Sequence, residues 1–78
     1  MTDREARAAR NQLESLAAFI DRKTEFDELV ADLQQMSADH FGADPHEMLW
    51  GKAAEVGHWN RLLRQVTDAY FRRGEYAA

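Results

Sequence analysis

The sequence has no cysteine, one proline and four glycines in 78 residues. Without cysteine there is no disulfide framework and no thiol chemistry, so folding in a reducing cytoplasm is expected. Scarce proline and glycine, together with 45% hydrophobic residues, argue against disorder. No apolar run approaches the roughly 20 residues of a membrane span. The start, MTDREARAAR, is charged from its third residue and lacks the apolar stretch of a secretory signal. No strand-like alternation, internal repeat or low-complexity run occurs. The most telling absence is local: between Thr24 and Gly51 there is no lysine or arginine.

The net charge of −4 conceals this asymmetry. Residues 1–23 carry five basic and four acidic side chains. Residues 24–55 carry eight acidic side chains against Lys52 alone. Residues 56–78 carry four arginines against Asp68 and Glu75. The acidic middle repels phosphate and attracts basic protein surfaces, so direct nucleic-acid binding there is disfavoured.

All apolar spacings have a period near 3.6, which predicts an all-α fold. Thr2 or Asp3 can cap a first helix over 3–22. Ala6, Ala9, Leu13, Leu16 and Ile20 form a narrow seam along it, and Arg22 and Lys23 suit its end. Thr24 with Asp27 resembles a capping box, so a second helix is expected over 25–41, with Gly42 just past its end. The connection of about two residues implies antiparallel neighbours. Asp44-Pro45-His46-Glu47 reads as a start signal for a short helical turn over 45–50. A bend at 51–54 and a final helix from Glu55 to about Arg73 follow; the alternative is one continuous helix from 45 to 73, with its two glycines costing about 1 kcal/mol each. The expected fold is one domain, 1–78: a small bundle made of an antiparallel helical hairpin and a long C-terminal helix. Leu33 and Leu62 are expected in its core, with Val56, Trp59, Val66 and Tyr70.

The second helix has two faces. Phe26, Leu29, Val30, Leu33, Met36 and His40 fall on one side. Glu25, Glu28, Asp32, Gln35 and Asp39 recur on another, with Asp44 and Glu47 just beyond. Like charges at i, i+4 cost a few tenths of a kcal/mol per pair. A row of carboxylates on successive turns, about 5 Å apart, comes near the spacing of strand phosphates. These seven residues are therefore the candidate contact surface for a basic protein partner. The plainer alternative is a solvated acidic face that only aids solubility.

Three further chemistries carry less weight. His40, His46 and His58 lie near carboxylates, but so small a domain has little room for a water-excluding catalytic cleft, and no enzymatic activity is expected. Asp39, His40, Asp44, His46 and Glu47 are close in sequence but lack zinc or EF-hand spacing, and no cofactor or metal is expected. Arg61, Arg64, Arg72 and Arg73 on the last helix would suit a DNA-binding regulator, yet the preceding acidic helix would press carboxylates toward phosphate. Trp50 and Phe71 are candidates for a subunit contact.

The segments His40-Phe41-Gly42, Pro45, Trp50-Gly51 and Gly74-Glu75-Tyr76 resemble small proteins carried by proteobacterial phages and mobile elements. That class includes acidic anti-CRISPR and anti-restriction inhibitors. The resemblance implies a non-catalytic, cytoplasmic inhibitor that blocks a basic, nucleic-acid-binding surface of a host complex. The alternative is a small structural or regulatory homodimer whose acidic face is merely solvated.

Overall fold

Thr2 opens the first helix by a reciprocal cap. Its hydroxyl accepts from the Glu5 amide at 3.2 Å, and the Glu5 carboxylate accepts from the Thr2 amide at 3.2 Å. This is the capping box, and it leaves α1 with two fewer orphan donors. The computed structural model describes residues 2–77; its α-helices are α1 (Asp3–Ala38) and α2 (Trp50–Phe71), each followed by a short 3-10 turn, His40–Gly42 and Gly74–Tyr76. Among the described residues there is no strand, so the all-α expectation holds. The chain divides into two units, 1–39 and 40–78.

The expected hairpin does not form. α1 is a single helix of 36 residues that passes through 23–24 without a break. Thr24, read as a cap, instead donates its hydroxyl to the Ile20 carbonyl at 3.0 Å. Threonine can make either bond, and this one keeps the helix going. Two ion pairs then bridge the expected turn: Arg22–Glu25 at 3.2 Å and Lys23–Asp27 at 2.8 Å. Arg22 and Lys23 do not close a helix but pair forward along one. No glycine or proline lies between residues 3 and 39 to impose a stop.

Within its unit α1 has no second element to pack against, so its apolar side chains stay exposed. Phe19 is 65% and Phe26 54% exposed, and Leu33 is half-exposed. Leu33 is thus not the core residue expected.

α1 ends at Ala38, three residues earlier than expected, with Asp39 as its cap. His40, Phe41 and Gly42 follow with φ of 55°, 56° and 71°. Histidine and glycine tolerate this left-handed region, while phenylalanine there is uncommon and strained. The Phe41 ring lies 6.0 Å from that of Trp59, a contact that offsets part of the strain.

In the second unit, Asp44 caps a turn rather than a helix. Its carboxylate accepts from the His46 amide at 2.9 Å, and its carbonyl from the Glu47 amide at 3.0 Å. The expected helical turn at 45–50 is therefore an Asx-type turn, the alternative that aspartate offers the backbone. α2 starts at Trp50 and runs through the expected bend. A β-carbon at Gly51 or Gly57 would meet open space, so neither glycine is needed for close packing.

α2 carries its apolar face largely exposed: Leu62 is 49% and Tyr70 81% exposed. Only Val56 and Trp59 of the expected core residues there are half-buried. Arg72 takes a left-handed φ of 54° and ends the helix. The Arg73 amide then donates to the Asp68 carbonyl at 2.9 Å. This brings the Arg73 guanidinium to the Asp68 carboxylate at 3.4 Å and over the Phe71 ring at 4.9 Å. Asp68 thus pairs with Arg73 rather than with Arg64 or Arg72.

Two glycines give opposite expected results. Gly57→Ala should stabilise α2 by about 1 kcal/mol, because it removes backbone freedom at an open helical position. Gly74→Ala should destabilise the C-terminal turn by about 1 kcal/mol. Gly74 has φ +58°, and an added β-carbon would sit 3.1 Å from the Asp68 carboxylate. Thermal melts followed by circular dichroism read both changes.

Candidate functional site: an acidic helix face

The continuity of α1 redraws the acidic face. At about 100° per residue, Glu25, Glu28, Asp32, Gln35 and Asp39 share one arc roughly 80° wide. Because the helix does not stop at Lys23, the same arc also takes in Asp21 and Glu14. The ridge therefore runs from Glu14 to Asp39, about 37 Å at the helical rise. Splitting the chain at Thr24 hid the first two members. The signal that finds them is a strict seven-residue spacing, Glu14-Asp21-Glu28-Gln35, interleaved with Glu25-Asp32-Asp39.

Local pairing makes the ridge uneven. Glu25 is tied to Arg22, so the acidic run is offset at that point. The Gln35 side-chain amide donates to the Asp39 carboxylate at 3.1 Å, which orients both at the C-terminal end. Carboxylates near a helix C-terminus oppose the macrodipole, and a donor beside Asp39 eases that cost. Glu28 and Asp32 enter no ion pair among the described residues. They sit one turn apart and form the least compensated part of the ridge. At the N-terminal end, Arg7 and Arg10 fall on the same arc, so the face changes sign before Glu14.

The structure keeps five of the seven candidate residues on one helix face. Asp44 and Glu47 belong to the second unit, where both are exposed in the turn that Asp44 organises. Among the described residues no group of three or more histidines, aspartates or glutamates is arranged to hold a metal ion. No helix there is long and apolar enough to cross a membrane. No protein family, curated protein or solved structure matches this chain.

Proposed function

We propose that this protein is a non-catalytic binding module whose acidic ridge occupies a basic groove on another protein. The observation that carries the reading is the one-sided row from Glu14 to Asp39 on an unbroken helix. Carboxylates on successive turns from Asp21 to Asp32, with Glu14 and Asp39 about two turns beyond either end, present a row of negative points, the pattern a nucleic-acid-binding groove is built to receive. The partner is a basic, nucleic-acid-binding surface of a host defence complex, and the protein is an anti-CRISPR-like inhibitor from a phage or mobile element, acting in the cytoplasm. Glu28 and Asp32 contribute most, since no base beside them competes with the partner. Asp21, Glu25, Gln35 and Asp39 extend the contact along the same helix face.

The helical bundle expected from the sequence enters this reading in changed form. With α1 continuous, its two halves cannot pack on each other. A bundle that buries the apolar stripes is built from α1 and other helices. Leaving the ridge outside such a bundle requires it to lie away from the apolar side, as its arc does.

The test is capture of the partner from host lysate, followed by competition. Binding should weaken as salt rises, mainly through slower association. Nucleic acid should displace the protein from its partner. Retention of DNA by the protein alone would favour the regulator reading instead, through the arginines of α2.

A further inference from the structure

The residues that follow the cap of α1 all turn left-handed. Asp39 is still right-handed, with φ −85° and ψ 8°. His40 and Phe41 then take φ of 55° and 56°, and Gly42 takes 71°. Only glycine occupies that region without cost; elsewhere the β-carbon crowds the following carbonyl. A less strained ending is open to this sequence. With His40 and Phe41 right-handed, their amides would donate to the Met36 and Ser37 carbonyls, and Gly42 alone would be left-handed just past the helix. The chain takes the strained ending instead, and one contact compensates it. The Phe41 ring lies 6.0 Å from that of Trp59, with the planes tilted by 46°. Both residues are half-buried, whereas Met48, Trp50 and Tyr70 stand open to solvent. A β-carbon at Gly42 would meet nothing within 4 Å, so Gly42 serves through its φ and not through close packing.

We propose that the Phe41–Trp59 contact is a latch on a two-state helix end: closed, α1 ends at Ala38, and open, it ends at Phe41. Phe41 belongs to both alternatives and can serve only one. Its ring meets Trp59 from a backbone at φ 56° and ψ 26°. Turning ψ to the helical value of about −42° swings the ring away relative to all of the chain that follows. The two endings therefore exclude each other. Opposing terms bring them close in free energy. The closed end gains the ring pair and holds two residues other than glycine left-handed. The open end gains two helical hydrogen bonds and needs only the glycine already present. Neither helix runs further, because Pro45 keeps Asp44 out of the helical region. A bistable element of this kind responds to whatever binds one state better. A ligand that takes the place of Phe41 on the Trp59 ring lengthens α1. The latch stands independently of what the acidic ridge binds.

Nuclear magnetic resonance of the full chain tests the latch, through the backbone shifts of residues 40 and 41 and the exchange of their amides. The natural chain should show left-handed shifts at both. Trp59→Ala removes the ring and leaves a good helix former in α2. It should turn both residues right-handed and slow exchange of the Phe41 amide by about tenfold or more, as that amide gains the Ser37 carbonyl. Adding His40→Gly to Trp59→Ala should shift the balance back toward the left-handed end, since glycine is favoured there and disfavoured inside a helix. A tryptophan that only fills space predicts no such reversal. Should Trp59→Ala lose α2, Phe41→Ala removes the same contact from the other side and should lengthen α1 in the same way. Four results overturn the proposal: right-handed shifts at 40 and 41 in the natural chain, left-handed shifts that persist without the contact, shifts of a disordered segment in both variants, or no reversal by His40→Gly.

Discussion

Replacing Glu28, Asp32 and Asp39 together by lysine is expected to leave α1 helical and to weaken partner binding by about 3 kcal/mol, or roughly 150-fold. The figure follows from exposed charges worth about 0.2–1 kcal/mol each, with every reversal removing an attraction and adding a comparable repulsion. Helicity should persist because the pairs that span residues 22–27 are untouched. Relieving a like-charge row, and placing a cation at the end of α1, should even favour the helix slightly. Glu14→Lys with Asp21→Lys is the companion variant. A ridge confined to 25–39 would ignore it, whereas the continuous ridge predicts a loss smaller than that of the triple variant. Isothermal titration against the captured partner measures both. Wild-type affinity in the triple variant would reduce the ridge to a solubilising surface.

Glu25→Pro is expected to destabilise α1 severely, by about 3 kcal/mol or more, because proline in a helix interior loses one hydrogen bond and clashes with the carbonyl four residues earlier. In a hairpin with Thr24 as cap, the same proline would occupy the first helical position, where it is well tolerated. The two arrangements therefore predict opposite outcomes for one substitution. Loss of the Arg22 pair adds only a few tenths of a kcal/mol, since both side chains are solvated. Amide exchange read residue by residue should show protection collapsing on both sides of position 25. Unchanged protection would restore the hairpin.

Thr24 explains why the sequence was legible in class but not in topology. Helical periodicity is a property of every segment here, so the all-α class could be read directly. A threonine followed by an acid three residues later is also a fair helix start. What decides between start and continuation is whether the chain gains by reversing, and that depends on packing partners outside the local window. The basic pair Arg22-Lys23 was equally ambiguous: it suits a helix end through the macrodipole, and it suits i+3 and i+4 pairing with Glu25 and Asp27. The same ambiguity affected Asp44, whose side chain caps a turn as readily as a helix. The four acids of the site from Glu25 to Asp39, with Gln35 among them, were legible because their spacing survives either topology. Asp21 and Glu14 were not, because their membership depends on the helix being unbroken.

The unbroken helix underlies the extended ridge, and one distance tests it. Spin labels on Arg10→Cys and Ser37→Cys, in chains diluted with unlabelled protein so that only distances within one chain are read, should stand about 40 Å apart along a continuous α1. A hairpin turning at residues 23–24 would bring the same two positions to about 10 Å, the spacing of packed helices. A narrow distribution near the longer distance is the predicted result of the electron–electron resonance measurement. A distribution near the shorter one would contradict the account.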